Sequence, residues 1–439
     1  MKITRMEALY LRQPEIRQQC DSGRDVVVVR ISTDAGIPGI GEVDSAPLAV
    51  KGMIEGSFPH TITCGLGELL LGEDPLETEY RWQKMYRRNI YSGRRGIAIH
   101  AMSGIDMALW DIKGKFFGQP VWKLLGGGFH TSIRAYASSL FARTAEETGQ
   151  CAAVPRPGLH SREVRLEPHG AERSDRHRAR AGGARGAGRR RRPDDRCRSV
   201  RGGDARTAIQ RARACSRYGI YWLEEPLQPD DYEGYCKLSQ AVDVRIAAGE
   251  EESERRSFIE RMDRGRIDVV PVDLARCGGF TEAVRIASLA QDRGLPVVNH
   301  GFTTYSNVAA ALHFLNAIPN SFPLEFVTEE TTHLRDVPTR QRLVAEGGRF
   351  RPQQEPGLGV GSGRGGRGAL PGARTLRAAR ARNHGFGERP ARQPARPALA
   401  IRTGASVRTG WSEPKSFRTA PCRRRRWSDR SQGWRTARG

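Results

Sequence analysis

Apolar positions repeat with two different periods along this chain, and the switch between them divides it. Residues 25–32 run Asp-Val-Val-Val-Val-Arg-Ile-Ser, a β-branched stretch that predicts a strand. Residues 34–36 (Asp-Ala-Gly) supply its turn, and 39–43 pair back as the next strand. Helices are expected over 75–91 and from 97 onward. In the second, Met102, Ile105, Leu109, Ile112 and Phe116 recur at three- and four-residue intervals, which stacks them on one buried face. Gly126, Gly127 and Gly128 close the segment. Residues 1–125 therefore read as a small α+β domain.

From 133 the pattern becomes an alternation. Strands are expected over 133–139, 220–224, 244–250, 267–273, 296–300 and 322–325. Helices are expected over 208–218, 232–241, 257–264, 281–293 and 307–316. Repeated βα units imply a parallel barrel, placed over 126–345. Five of its strands close on a residue that can carry chemistry: Glu224, Glu250, Asp273, His300 and Glu325, spaced 26, 23, 27 and 25 residues apart. A lone acid after a strand ordinarily caps the following helix. Five at intervals of one βα unit converge on one face of a barrel, where such folds keep their sites.

Charge alters the picture in two places. The formal net charge is +23, but roughly +9 of it lies in 154–203 and roughly +17 in 361–439, so the remainder is slightly acidic. Neither block has helical or strand periodicity, and by composition both 154–203 and the tail 361–439 are expected to be disordered. Their aromatics are too sparse to form a stacking platform, which argues against nucleic acid as a partner. A basic nucleic-acid-binding protein remains the alternative of a different class, as does a catalytically dead barrel. No apolar run is long enough to span a membrane. The eight cysteines form no paired framework, which implies a reduced, cytoplasmic protein.

A shifted reading frame is the expectation for both blocks, 154–203 and 361–439, and the first allows it to be checked. Codons can be chosen for 158–170 so that reading one base later gives G-F-T-A-V-K-F-G-W-S-P-M-G, an alternating strand that carries a lysine. The same offset over 193–200 gives L-M-I-D-A-G-L-C, a second strand bearing an aspartate. As written, the block is expected to lack both strands and to leave neighbouring strands with open edges.

The stretch 101–115 (Ala-Met-Ser-Gly-Ile-Asp-Met-Ala-Leu-Trp-Asp-Ile-Lys-Gly-Lys) resembles a signature of the mandelate racemase and muconate lactonizing enzyme family, in the enolase superfamily. So do Trp222-Leu-Glu-Glu-Pro226, Ala248-Gly-Glu250 and Val272-Asp-Leu-Ala-Arg-Cys-Gly-Gly279. The resemblance covers 1–153 and 204–360, and its chemistry is closest to the mandelate racemase subgroup. It implies an α/β fold: a modified (β/α)7β TIM barrel under an N-terminal α+β capping domain, with 346–360 returning to the cap.

The resemblance also implies roles. Glu224 and Glu250 would bind Mg2+, which stabilises the enediolate formed when a proton alpha to a carboxylate is removed. Glu225 would point away or support them. Asp273 and His300 would form a base dyad, the carboxylate fixing the imidazole tautomer. Glu325 would hydrogen-bond the substrate carboxylate. A third metal ligand and a lysine base are expected in the anomalous block, where Arg196-Cys197 stand instead of an aspartate. The expected reaction is dehydration of a sugar acid, with racemisation or epimerisation of a 2-hydroxy acid as the alternative. The chain is expected to form homo-oligomers and to be destabilised and poorly active as written.

Overall fold

The computed structural model describes residues 1–12, 25–57, 65–138, 163–166, 196–199, 204–216, 220–301, 303–327 and 343–360. The chain divides into two units, Met1–Arg377 and Ala378–Gly439. The tail from 361, expected to be disordered, lies outside the described residues, as does most of 154–203.

The first layer is a three-stranded antiparallel sheet, β1 (Ile3–Arg12), β2 (Asp25–Thr33) and β3 (Gly39–Val43), in that order. The β2–β3 turn is the expected one, with Gly36 at φ +72°. Helices α1 (Pro47–Glu55), α2 (Leu66–Leu70), α3 (Thr78–Arg88) and α4 (Ile97–Phe117) follow, then the short α5 (Val121–Leu124). Helix α4 runs from Gly96 to Gly118, the latter in the left-handed conformation that ends helices. It packs against β3 at backbone distance. A Cβ on Gly41 would come within 1.9 Å of the Gly104 carbonyl, and one on Gly104 would meet Val43 and Val29. Only glycine at both positions permits that approach. Val27, Val29, Val43, Trp82, Met102, Ile105 and Leu109 form the buried core of this layer.

The second layer is a ring of parallel strands. These are β4 (Ile133–Ser138), β5 (Glu163–Leu166), β6 (Arg196–Ser199), β7 (Trp222–Glu224), β8 (Arg245–Ala247), β9 (Val270–Asp273), β10 (Val297–His300) and β11 (Leu324–Val327). Strands β5 to β8 pair in sequence, β9 pairs with β10, and β11 with β4, all in parallel. Single bridges join Ala247 to Val269 and Val297 to Ser321, and β4 lies beside β5. Helices α6 (Ala205–Ser216), α7 (Tyr232–Ala241), α8 (Glu254–Asp263), α9 (Gly279–Gln291) and α10 (Tyr305–Asn316) occupy the crossovers. Their apolar faces, with Phe258, Phe280, Ile286, Phe314 and Leu315, join Leu223, Ile246, Val270, Val297 and Leu324 from the strands in one core.

Two expectations for 154–203, disorder and the loss of both strands, are corrected at the described residues 163–166 and 196–199. The anomalous block does contribute two strands, so β7 has no open edge on that side: Arg196, Cys197 and Arg198 align with Trp222, Leu223 and Glu224. The physical reason is that a parallel ladder is made by backbone N–H and C=O groups, which four residues of almost any composition can offer to a waiting neighbour.

The chain after the ring turns back. β12 (Arg349–Phe350) pairs antiparallel with β4. Gly357 then exchanges backbone hydrogen bonds with Gln119 and Val121. The buried Asp111 of α4 accepts from Leu358 N with Oδ1 and from Ile40 N with Oδ2, so one carboxylate joins β3, α4 and the returning segment.

Candidate active site

All five candidate residues are buried; Glu250, Asp273 and Glu325 lie around His300, and Glu224 ends the neighbouring parallel strand β7. Glu224, Asp273 and His300 are the last residues of β7, β9 and β10. Two positions differ from the sequence expectation. Glu250 stands three residues beyond the end of β8, because the chain leaves the ladder at Ala247. Glu325 is the second residue of β11, opposite Tyr136, because that strand begins later and runs on to Val327.

Asp273 and His300 are register partners on adjacent strands. His300 Nδ1 lies 2.8 Å from Asp273 Oδ2, while Asp273 Oδ1 accepts from the Ala275 amide at 2.7 Å. The carboxylate is held at both oxygens, which assigns the Nδ1 proton and aims Nε2 away from Asp273. Nε2 is 3.5 Å from Glu250 Oε2. Burial pulls the His300 pKa down. Glu250, the bond to Asp273 and the charge of Glu325 outweigh it and raise the pKa to about 9. Glu325 Oε2 accepts from the Gly301 amide at 3.1 Å, and its own amide donates to Asn299 Oδ1 at 2.9 Å. The residue is therefore fixed to the strand that carries His300.

Glu224 and Glu225 divide their work. Glu224 Oε2 accepts from the Trp222 indole at 2.9 Å. Glu225 takes a left-handed backbone, φ 44°, a strained state for a side-chain-bearing residue. Its carboxylate accepts from Tyr235 OH at 3.0 Å and from Gly249 N at 2.7 Å. Glu225 thus ties β7 to the segment carrying Glu250 and is itself spent on that contact. Whether the donors suit a metal is a matter of their chemistry. Glu224 and Glu250 offer hard, buried carboxylate oxygens at the same mouth, and Mg2+ is commonly held by one or two carboxylates with water or substrate completing the shell. Carboxylates of Glu250 and Asp273 lie 3.5 and 2.8 Å from the two His300 ring nitrogens, with Arg276 3.5 Å from Asp273 as the cation beside them. Among the described residues no group of three or more such ligands gathers.

Several residues without a role in the sequence reading prove to face this mouth. Glu42 of β3 is buried and accepts hydrogen bonds from Thr303 and Thr304, just past His300. Its one readable signal was a carboxylate inside an otherwise apolar strand. Arg276, inside the motif after Asp273, reaches Asp44 Oδ2 of the cap at 2.7 Å.

No helix among the described residues is long and apolar enough to cross a membrane. Models of known families match twice: the mandelate racemase / muconate lactonizing enzyme N-terminal domain over 11–126, and the enolase C-terminal domain-like model over 195–362. A D-galactarolactone cycloisomerase from Agrobacterium fabrum is 33% identical over 66% of this chain and 79% of its own length. An L-rhamnonate dehydratase from Saccharopolyspora erythraea is 29% identical over 76% of this chain and 82% of its own. The crystal structure of a racemase from Streptomyces coelicolor A3(2) with bound magnesium superposes with a TM-score of 0.68 at 25% identity, covering 82% of this chain and 96% of that one. With a cap sheet over a ring of parallel strands, and relatives that are lyases and isomerases, this chain is an enzyme-type member of the mandelate racemase/muconate lactonizing enzyme family of the enolase superfamily.

Proposed function

We propose that the parent activity of this site is Mg2+-dependent removal of the proton alpha to the carboxylate of a sugar acid, followed by loss of the β-hydroxyl as water. The single observation that carries the reading is the His300–Asp273 pair, 2.8 Å apart, with the other imidazole nitrogen aimed at Glu250. Glu224 and Glu250 would hold the cation, which when bound stabilises the negative charge of the enediolate.

His300 Nε2 moves the proton, and Asp273 keeps Nδ1 protonated throughout. With its pKa raised to about 9, the imidazole is well suited to protonate a departing hydroxyl. To take the alpha proton the same ring must first be neutral, and a cation held by Glu250 would offset the strongest upward pull on its pKa. Glu325 donates to or orients the substrate carboxylate. Dehydration requires a hydroxyl beta to the acid, which sugar acids supply, and the relatives named above support acid-sugar chemistry. Opening or closure of a sugar lactone shares the first proton transfer and is the second reading, favoured by the 33% identity to the cycloisomerase. Racemisation needs a second base on the opposite substrate face.

That second base is where this chain departs. No lysine occurs between Lys123 and Lys237, and Arg196 and Cys197 stand where an aspartate ligand is expected. The one-base-shifted reading puts its lysine at position 163 and its aspartate at 196. Those positions are register partners in β5 and β6. This coincidence supports the shifted frame and an impaired chain. A panel of aldonic and aldaric acids with Mg2+, assayed for 2-keto product, tests the reaction. Exchange of the alpha hydrogen in D2O without keto product would replace dehydration with racemisation, and lactone turnover would replace it with cycloisomerisation. Sequencing the coding DNA across codons 150–205 tests the frame, and the absence of any insertion or deletion there relative to sister genes would sink it.

A further inference from the structure

The loop after β9 joins the cap to the dyad through one side chain. Arg276 donates from Nη2 to Asp44 Oδ2 at 2.7 Å and from Nε to the Asp44 carbonyl at 3.2 Å. The same Nε lies 3.5 Å from Asp273 Oδ2, the oxygen that receives His300 Nδ1. Nη1 reaches the Glu250 carbonyl at 3.4 Å. Asp44 belongs to the cap, immediately beyond β3, and both partners keep side chains 23% exposed. Two residues earlier, Glu42 is clasped by Thr303 and Thr304 from the loop after β10. The end of one cap strand therefore grips the two loops that follow the two dyad strands.

We propose that Arg276 is a positioning residue, which Asp44 of the cap holds against Asp273 so that the orientation of the Asp273–His300 pair depends on the cap being seated. The inference rests on reading those two residues as the base dyad. The guanidinium is planar and reaches cap and barrel from one rigid fork. It gives Asp273 a cationic neighbour on the side away from Ala275, so the carboxylate cannot swing off the imidazole without leaving both. Ser103 and Trp82 of the cap also bond Gly278 in the same loop. These fasten the loop backbone and touch neither dyad residue, which makes Arg276 separable from general docking.

The experiment uses the full chain labelled with 15N in histidine, with His300→Asn identifying the His300 signal. In the unaltered protein, the Nδ1 proton of His300 should exchange slowly with solvent. Asp44→Asn and Arg276→Gln should each speed that exchange by roughly tenfold, the order of one weakened hydrogen bond, and Arg276→Lys should recover part of the loss. Thr281→Val, which removes the hydroxyl contact to the cap residue Asp106, should lower the melting temperature and leave the His300 signal alone. If Asp44→Asn and Arg276→Lys lower the melting temperature while His300 exchange stays unchanged, the proposal is overturned. Equal acceleration by Thr281→Val would overturn it too. Should Arg276→Gln not fold, the other three variants decide alone. No substrate enters this measurement, so failure of the acid-sugar reading would appear separately, as no keto product and no alpha-hydrogen exchange with the unaltered protein.

Discussion

Strands β5 and β6 and strands β7 to β10 sit in the same ring, yet they come from very different sequence. The first pair lies in an arginine-rich block without periodicity. The later strands alternate with helices, and β7, β9 and β10 end on two acids and a histidine. Both regions pair in parallel, because the ladder asks only for backbone groups. The proposed chemistry asks for a particular side chain at a particular register, and there the sequences part: β7, β9 and β10 end on Glu224, Asp273 and His300, while Arg196 and Cys197 stand where the proposal expects an aspartate. A parallel ladder can thus be extended by strands whose sequence carries no periodic pattern.

The largest expected effect lies on the intact side. His300→Asn should slow alpha-hydrogen exchange roughly 10³-fold, measured by mass spectrometry in D2O on any acid sugar that the unaltered chain turns over. An equal loss on substituting a residue of β5 or β6 would erase the contrast between the regions.

Next comes packing. Phe280 of α9 is fully buried, so Phe280→Ala should cost about 3–5 kcal/mol in urea unfolding. A cost under about 1 kcal/mol would mean that the later half of the ring is no better packed than an ordinary surface.

Restoring the shifted frame across 158–200 should raise turnover roughly 10²-fold, the contribution of one well-placed acid–base group, and should strengthen divalent-cation uptake in calorimetry. Unchanged binding and turnover would show that the block was never the deficit.

The smallest effect concerns the grip of the cap. Burial raises the pKa of Glu42 from 4.5 to about 7, against the lowering effect of Thr303 and Thr304. The folded chain therefore holds an extra proton between those values. Stability falls as pH rises through that window, by at most about 3.5 kcal/mol at about 1.4 kcal/mol per unit. Asp106, also raised to about 7 by burial, acts with the same sign and is present in both proteins to be compared. Urea melts at pH 5 and pH 8 should therefore show a smaller loss for Glu42→Gln than for the unaltered chain. Equal losses would place Glu42 outside the linkage.

Local pattern was enough for much of this. Residues 39–43 and 232–241 carry complete signals and fold as β3 and α7 over those spans. The strand-end placement of Glu224, Asp273 and His300 followed from counting one βα unit between chemical residues. Glu250 and Glu325 were found as residues, but their offset from the strand ends was not, since a ladder stops where its neighbour stops. The clasp of Glu42 by Thr303 and Thr304 spans more than 260 residues, and no periodicity reports a contact of that range.

The sequence by itself determined the alternation of strands and helices, the two arginine-rich blocks and the residue types at the mouth, because these depend on side-chain period and composition within one element. Only the tertiary structure decided that a block without pattern still supplies two strands, that Glu225 serves Gly249 and Tyr235, and that Asp44 reaches Arg276. Each of those depends on which surfaces meet when the ring closes under the cap.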